Sequence, residues 1–206
     1  IVFINYANDQ YKNQQKFSSF MAKFFGGFNE IIEYNPGSLD EKFRREHSEI
    51  LKIKRGNGLW LWKPYIILDA LKKFNYGDYI FYCDSGAFFF RSVKRLIDGD
   101  IWVSDLGLVE KNWTKPEVFK LIPEADNEKI KNSPHVQASF ILLRKSDESV
   151  KFISEWLNLC CRPELLYPLR DDEFHGDCIE HREDQSLLSI LAKINNIEPH
   201  QNPAIL

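Results

Sequence analysis

The sequence predicts an α/β fold with a mostly parallel, doubly wound central sheet, helices on both faces and a mixed second half. Three short apolar runs within the first hundred residues support this prediction, at positions 1–6, 31–34 and 79–83. Segments with helical periodicity separate them, and strands that alternate with helices form parallel sheets. No linker, repeat or low-complexity tract divides the 206 residues, so we expect one domain around one core.

The individual elements follow from local signals. Asn8 and Asp9 suit the cap of an amphipathic helix, Ser38 suits the cap of a charged helix, and Pro64 fits a first turn, where its missing N–H costs little. The predicted helices cover residues 10–25, 38–54, 62–74, a short stretch from 91, 117–121, 146–159 and 184–194. Further predicted strands cover 101–104 and 136–143, and a loop covers 162–180.

Composition limits the classes of function. The apolar fraction of 44% and the charged fraction of 28% are those of a soluble globular protein. A formal net charge of −3 gives no electrostatic footprint for nucleic acid or an anionic membrane, so we expect no nucleic-acid partner and only peripheral membrane association, if any. The four cysteines lack C-x-x-C spacing, which argues against a zinc site and predicts reduced thiols in the cytoplasm.

The third apolar run ends on a carboxylate. Ligands of doubly wound sheets bind outside the carboxyl ends of the strands, which makes Asp84, Ser85 and Gly86 candidate site residues. An isolated carboxylate is costly to bury, whereas a metal ion or a hydrogen-bond donor stabilises it. Gly86 permits a close approach of a ligand to the backbone or a positive φ. The alternative is an ordinary aspartate between a strand and a turn.

Two helix starts carry further candidates. Residues 58–64, GLWLWKP, open a helix whose N–H groups can bind a phosphate with help from Lys63; alternatively, both tryptophans belong to the core and Lys63 is solvated. Residues 181–186, HREDQS, open the last helix, where the dipole favours Asp184 and where Arg182 offers a fork of donors. Alternatively, Asp184 only caps the helix and His181 only packs.

Three segments, taken in order, resemble the GT-A-type glycosyltransferases. They are YIFYCDSG at 79–86, VQASFILLRKS at 136–146 and HREDQSLLSILAK at 181–193. The first is similar to an Asp-x-Asp motif, and the last two resemble the small-residue strand and the DQ-x-L-L helix of the retaining, glycogenin-like group. Together with GLWLWKP and EKNWTK, they look similar to an Asp-x-Gly variant among transferases of bacterial surface-polysaccharide clusters and large viruses. The resemblance extends over most of the chain from Gly58 onward.

The resemblance implies a Rossmann-like GT-A domain with a nucleotide-binding half at 1–104 and an acceptor-binding half at 105–206. It implies transfer of a sugar, with retention favoured, from a UDP- or GDP-linked nucleotide sugar to a glycan or glycoconjugate, and a Mn²⁺ or Mg²⁺ cofactor. The implied roles are catalysis by Asp184 and Gln185; donor binding by Tyr6, Lys63, Asp84, Ser85, Gly86, Gln137, Ser139, His181 and Arg182; acceptor binding by Trp113 and Lys115; and metal binding by Asp84 and His200.

The motif departs from the family at Gly86, which stands where a second aspartate is usual. A divalent ion on a diphosphate needs only one or two protein carboxylates, so Asp84 can suffice. The departure also supports a second hypothesis, a catalytically degenerate module that binds a nucleotide sugar or glycan. Structural alternatives remain for Ala138 and Ser139, which sheet packing alone would explain, and for His200, a lone histidine in a tail.

Other enzyme classes fit these residues less well. An aspartyl-phosphate phosphohydrolase needs a second aspartate two residues after Asp84, where the chain has Gly86. Nucleotidyltransferases and dinucleotide oxidoreductases need a glycine-rich loop after the first strand. Residues 5–9, NYAND, contain no glycine.

Overall fold

The computed structural model describes residues 1–169 and 175–204. These residues form two compact units, each assembled from three segments of the chain. Unit 1 contains residues 1–49, 62–102 and 139–154, and unit 2 contains residues 50–61, 103–138 and the described part of 155–206. No helix in the described ranges is both long enough and apolar enough to cross a membrane. The division into functional halves at residue 104 stays a prediction.

The strands of the described residues are β1 Val2–Tyr6, β2 Glu30–Tyr34, β3 Tyr79–Cys83, β4 Ile101–Trp102, β5 Asp105–Val109, β6 Pro134–Val136 and β7 Phe140–Arg144. Unit 1 holds a five-stranded sheet in the order β2-β1-β3-β7-β4. Strand β1 pairs in parallel with β2 and β3, while β7 runs antiparallel to β3 and β4. Unit 2 holds the antiparallel pair β5-β6. The α/β class with a mostly parallel central sheet and a mixed second half is confirmed.

The sheet of unit 1 is flanked by helices; α5 contacts β1 and β3, and α1 contacts β2. The α-helices of the described residues are α1 Lys12–Met21, α2 Glu41–Glu46, α3 Ser48–Leu51, α4 Gly56–Leu59, α5 Trp62–Lys73, α6 Glu110–Trp113, α7 Pro116–Leu121, α8 Glu128–Lys131, α9 Asp147–Cys160, α10 Pro163–Leu166 and α11 Glu183–Ile194. Short 3₁₀ helices cover Asp9–Tyr11, Pro36–Ser38, Val93–Leu96 and Pro123–Ala125, and a π-helical turn covers Ala22–Gly26.

The core of unit 1 is a row of large side chains across the sheet. Phe3, Phe81, Leu142 and Trp102 are neighbours in register on β1, β3, β7 and β4, so their side chains share one face. All four are buried, and the ring of Phe89 packs edge-on against Phe3 at 5.0 Å. This row fixes the register of β1, β3 and β7, whose ends carry the candidate site.

One sequence prediction in the first unit is wrong in detail, and one predicted helix buries an unexpected face. Ser38 caps no long helix: Asp40 caps α2, its Oδ1 accepting the N–H of Phe43 at 2.8 Å, and α2 ends at Glu46. Helix α1 is amphipathic with the opposite orientation to the usual one, because its buried positions are polar while its phenylalanines are exposed. Periodicity indicates that a helix has two faces, but not which face is buried.

The predicted strand at 136–143 is two strands. Strand β6 pairs with β5, and β7 joins the five-stranded sheet, so residues 137–139 form a connection between them. Strand β5 had no prediction, because DLGLV lacks both an apolar run and regular alternation. Helix α10 lies within the predicted loop 162–180, of which residues 170–174 lie outside the described residues.

The glycines before α5 have a structural role within unit 2. Gly58 has φ +99°, and a Cβ there would lie 2.9 Å from the Cα of Leu51. Asn57, Leu59 and Trp60 also have positive φ, between 52° and 57°. A side chain at position 58 would therefore meet both backbone strain and a backbone clash. Close packing accounts for Gly58 without a phosphate.

Candidate functional site

The candidate donor site of unit 1 lies where β1 and β3 end and β7 begins. Because β7 is antiparallel to β3, Cys83 lies opposite Phe140, and the residues that follow and precede them meet at the same edge. The N–H of Asp84 donates to the carbonyl of Ser139 at 2.8 Å, and the hydroxyl of Ser85 donates to the carbonyl of Tyr6 at 2.7 Å. The structure therefore brings four of the predicted donor residues together.

Lys63 joins this edge from the first turn of α5. Its Nζ lies 3.2 Å from Oδ1 of Asp84, and its side chain is 4% exposed while that of Asp84 is 38% exposed. Nζ also lies 5.4 Å from the centre of the Tyr82 ring, whose hydroxyl donates to the same Oδ1. A buried ammonium needs such partners, because burial alone disfavours its charge. The alternative of a solvated Lys63 is wrong.

Tyr6 and Trp62 support this pair. Their rings stack with centres 3.7 Å apart and planes inclined by 14°, and both residues are buried. Trp62 belongs to the core, as the alternative interpretation of GLWLWKP expected, while Trp60 is half-buried. The ring of Tyr6 is therefore packed in the core beside the site, and its carbonyl accepts the hydroxyl of Ser85. The donor-binding roles of Tyr6 and Ser85 stay predictions.

Gly86 lies next to open space. Its φ is not in the left-handed region, so the expected positive φ is wrong. A Cβ at this position would have no atom within 4 Å, in contrast to Gly58. The other expectation for Gly86, a close approach of a ligand to its backbone, is compatible with this free space and stays a prediction.

The residues of this edge fit a divalent ion only together with a ligand. Among the described residues, no group of three or more His, Cys, Asp or Glu side chains could hold a metal. Asp84 is half-exposed, and its Oδ1 contacts Lys63 and Tyr82. One carboxylate with the oxygens of a diphosphate and water is a usual ligand set for Mg²⁺. His200, the second predicted ligand, lies in unit 2, where its backbone pairs with Ser104 and Asp105.

The start of α11 in unit 2 carries the predicted catalytic residues. Arg182 occupies the N-cap position of α11, and Asp184 lies in the first turn of the helix, where it is buried. Asp184 therefore does not cap the helix. The carbonyl Oε1 of Gln185 accepts the N–H of Ala138 at 3.0 Å. The Nε2 of Gln185 is buried and has no hydrogen-bond partner within the described part of the chain. A buried donor without an acceptor costs free energy, which a bound hydroxyl or carbonyl would recover.

Glu183 is a buried acid at the start of α11 that the sequence interpretation missed. It has φ 41°, an unfavourable value for a glutamate, and is buried at the first position of α11. The Nε of Arg55 donates to its Oε1 at 2.6 Å. Burial raises the pKa of Glu183, and Arg55 opposes that shift. The ion pair therefore holds a strained backbone directly before Asp184. The only signal in the sequence was the acidic run itself.

His181 packs within unit 2. It is buried, with Nε2 2.8 Å from the carbonyl of Leu165 and Nδ1 3.4 Å from the N–H of Lys115. Burial, with the charge of Lys115, lowers its pKa to about 3. The imidazole is therefore neutral, with Nε2 donating and Nδ1 accepting. This geometry favours the packing alternative, and the donor-binding role of His181 stays a prediction.

The remaining predicted residues of unit 2 lie in three places. The guanidinium of Arg182 lies 4.2 Å from the ring centre of Trp113. Lys115 donates through Nζ to the carbonyl of Tyr167 at 2.6 Å. It also lines a cleft of about 500 Å³ with Glu117, Pro163, Glu164, Tyr167, Pro168, Leu169 and His175. The Nε2 of Gln137 donates to Oγ of Ser104 at 2.7 Å, which leaves Gln137 buried against a neighbouring chain segment.

A buried acid cluster, composed of Glu110, Thr114, His135, Ser189 and Lys193, was not predicted. Glu110 is fully buried and accepts from the hydroxyls of Thr114 and Ser189 and from Lys193, and Nδ1 of His135 lies 3.0 Å from Oε1. Burial opposes ionisation, but His135 and Lys193 lower the pKa of Glu110 to about 2. The cluster ties α6, β6 and α11 together. The EKNWT segment is therefore at least partly structural.

Comparisons with known proteins extend these observations. No protein-family model matches the chain, and no curated protein matches its sequence. The apo structure of the WbbM bifunctional glycosyltransferase superimposes with a TM-score of 0.52 at 8% identity, covering 93% of this chain and 37% of that one. Apo mouse xyloside xylosyltransferase 1 superimposes with a TM-score of 0.50 at 8% identity, covering 98% of this chain and 85% of that one.

These likenesses show the fold. The chain has the α/β fold of the GT-A glycosyltransferases, as the resemblance of its motifs implied. It spans little more than a third of the length of the WbbM chain. The fold hosts more than one specificity, so donor, acceptor and stereochemistry must be argued from the residues of this chain.

Proposed function

We propose that the chain is a glycosyltransferase that moves a sugar from a UDP- or GDP-linked nucleotide sugar to a hydroxyl group of a glycan or glycoconjugate. The observation that carries this proposal is the Lys63–Asp84 pair at the carboxyl edge of the GT-A sheet. A cation buried against a half-exposed carboxylate gives this edge both signs of charge. The positive charge of Lys63 can interact with a diphosphate directly, and the carboxylate of Asp84 can do so through a bound divalent ion.

The residues of unit 1 bind the donor in this proposal. Lys63 contributes positive charge to the diphosphate, and Asp84 holds Mn²⁺ or Mg²⁺ against it. A bound divalent ion would neutralise the charge that develops on the departing nucleoside diphosphate. Ser85 and Ser139 hold the loop of Asp84 in place through their hydrogen bonds with Tyr6 and Asp84. Gly86 leaves room for the phosphates.

The residues of unit 2 act on the sugar and the acceptor. Asp184 stabilises the positive charge that develops on a sugar reacting with retention, and the free Nε2 of Gln185 donates to a substrate oxygen. Arg182 and His181 contribute to the donor, with Gln137 near the sugar. The acceptor lies along Trp113 and the cleft of Lys115, whose aromatic and carboxylate side chains suit a glycan. Such a transferase fits polysaccharide biosynthesis in the cytoplasm.

A panel of donors tests the proposal. We expect UDP or GDP with Mn²⁺ to raise the melting temperature, and one UDP- or GDP-sugar to be hydrolysed or transferred with release of the diphosphate. EDTA should abolish the release. Stabilisation by the diphosphates without release from any donor would favour the alternative, a binding module that has lost catalysis. No stabilisation by any nucleotide would contradict both.

Adding the missing carboxylate should strengthen the metal site. The Gly86→Asp variant fits without strain, because φ is not left-handed and the added Cβ meets open space. We expect Mn²⁺ to bind about tenfold more tightly in the presence of UDP, since affinity rises with the number of charged ligands. Isothermal titration would measure the change.

Gly86→Asn is the matched control for this experiment. It adds a side chain of the same shape without the charge, and it should leave the affinity for Mn²⁺ near that of the parent protein. Equal affinities of the Asp and Asn variants would show that position 86 does not face the cation bound by Asp84.

A further inference from the structure

Helix α1 presents its apolar side to solvent. Its buried positions include Gln15 and Ser18, while Phe17 and Phe20 are more than half exposed. The polar side is buried because β1 carries Asn5, a fully buried amide. The Nε2 of Gln15 donates to Oδ1 of Asn5 at 3.0 Å and to the carbonyl of Tyr34 at 2.8 Å. Hydrogen bonding thus fixes the rotation of the helix and turns the phenylalanines outward.

The exposed rings form one surface on unit 1. Phe17 contacts Phe88 edge-on at 5.8 Å, and Phe20 lies 4.9 Å from Phe24. The loop after β3 therefore continues the face of α1. Phe25 follows Phe24 and Phe90 lies two residues after Phe88, and both are exposed, so the exposed aromatic residues of these two segments are Phe17, Phe20, Phe24, Phe25, Phe88 and Phe90. Single exposed apolar residues are ordinary, but a contiguous group of this size indicates an interaction site.

The two chain segments that carry these rings contain positive charges only. Residues 10–29 and 85–97 contain six lysines and arginines and no aspartate or glutamate, although the whole chain has a formal net charge of −3. Two of these cations lie at the rings: Nζ of Lys23 is 6.0 Å from the centre of the Phe24 ring, and the guanidinium of Arg91 is 5.0 Å from that of Phe90. We call the six rings with these cations the aromatic-basic surface.

We propose that the aromatic-basic surface docks the protein peripherally on an anionic lipid membrane. Phenylalanines with adjacent lysines and arginines suit the boundary between acyl chains and headgroups, where rings enter the apolar layer and cations meet anionic lipids. The net charge of the chain hides this surface, because acidic residues elsewhere outweigh it. The expectation from composition, that an anionic membrane finds no electrostatic footprint, rested on the net charge alone, which does not reveal a local group of cations.

Charge also selects the occupant of this surface. A second copy of the chain, docked through the same face, would bring the lysines and arginines of two copies together, and residues 10–29 and 85–97 supply no carboxylate to pair them. An anionic lipid surface supplies the opposite charge at any register. Phe88 follows Asp84 by four residues, so the docked loop is continuous with the candidate donor site.

Vesicle sedimentation tests this proposal without any nucleotide sugar, and so independently of the proposed catalytic activity. We expect the protein to bind vesicles of phosphatidylcholine with about one third phosphatidylglycerol, and to bind phosphatidylcholine alone at least about tenfold more weakly. Raising the salt concentration to about 0.5 M should release much of the bound protein. The triple variant Phe17→Ser, Phe20→Ser, Phe24→Ser should lose at least about fivefold in affinity, with an unchanged melting temperature because the rings are exposed.

Two controls make the result specific. We expect weaker binding to the anionic vesicles from the triple variant Lys12→Gln, Lys16→Gln, Lys23→Gln. Binding should not change in a second triple variant, which removes the same charge elsewhere on the surface: Lys120→Gln, Lys129→Gln, Lys151→Gln. Equal binding by both lysine variants, or by the parent and the phenylalanine variant, would overturn the proposal. So would a concentration-dependent dimer that the phenylalanine variant abolishes, since a second copy would then cover this surface.

Discussion

The Asp84→Asn variant is expected to lose donor turnover by about a hundredfold or more, because a neutral amide neither holds a divalent ion nor balances the charge of Lys63. Release of UDP or GDP from the best donor of the panel would measure the loss. The substitution leaves the size of the side chain unchanged, so the chain should keep its fold. The buried ammonium of Lys63 loses its carboxylate, and we expect the free energy of unfolding to fall by about 1–2 kcal/mol.

The Lys63→Met variant distinguishes the contribution of the Lys63–Asp84 pair to diphosphate binding from its contribution to the stability of the fold. It removes the buried charge and leaves Asp84, which solvent reaches, so we expect nearly unchanged stability and a loss of diphosphate affinity. Glu30→Gln, which neutralises an exposed carboxylate of the same unit, should leave both quantities unchanged. Full turnover by Asp84→Asn would remove this carboxylate from the mechanism and, with it, the main support for the proposed donor site.

The Glu110→Gln variant is expected to be destabilised by about 3–5 kcal/mol, because it leaves the buried side chains of Lys193 and His135 without their carboxylate. Chemical denaturation at neutral pH would measure the change. Glu128→Gln, the same substitution at an exposed position of unit 2, should cost less than about 0.5 kcal/mol. Adding Lys193→Met to Glu110→Gln should recover part of the loss, because both buried charges are then gone.

The same cluster predicts the response to acid. The pKa of Glu110 is lowered to about 2 from an ordinary value of 4.5, so its contribution to stability is complete above about pH 4.5 and disappears as the pH falls toward 2. His181, with a pKa lowered to about 3, adds a loss that begins below about pH 6.5, because the unfolded chain takes up the proton first.

Glu110→Gln should therefore flatten the dependence of stability on pH between about 4.5 and 2, without changing the part between about 6.5 and 4.5. A variant that loses stability in parallel with the parent protein across the lower range would show that Glu110 is not the group responsible.

The strands that position the donor site were predictable from the sequence. They are short apolar runs, and such runs are buried in the core whichever elements pack against them. The predicted third strand is present as β3, which begins at Tyr79 as expected and ends at Cys83, and Asp84 was identified from its place at the end of that apolar run. The split of residues 136–143 was not predictable. An apolar run indicates that the segment is buried, but it does not indicate which sheet each half of the segment joins.

The partners of charged side chains were equally beyond the sequence. Lys63 sits 21 residues before Asp84, and the burial of its ammonium depends on α5 packing beside β3. Glu110 reads locally as the first residue of a polar stretch, and only the approach of β6 and α11 provides His135 and Lys193. Glu183 shows its left-handed backbone and its pairing with Arg55 only when segments distant along the chain come together.

The sequence by itself determined the α/β class, the strands of the first half and the order of motifs that resembles the GT-A glycosyltransferases, because these depend on local periodicity and on residue type. Only the tertiary structure decided which faces and charges are buried. In α1 the hydrogen bonds of Gln15 with Asn5 outweigh the hydrophobicity of the phenylalanines, since an unpaired buried amide costs more than an exposed ring. Burial is a property of what packs on a side chain, and that packing is set by segments far away in the sequence.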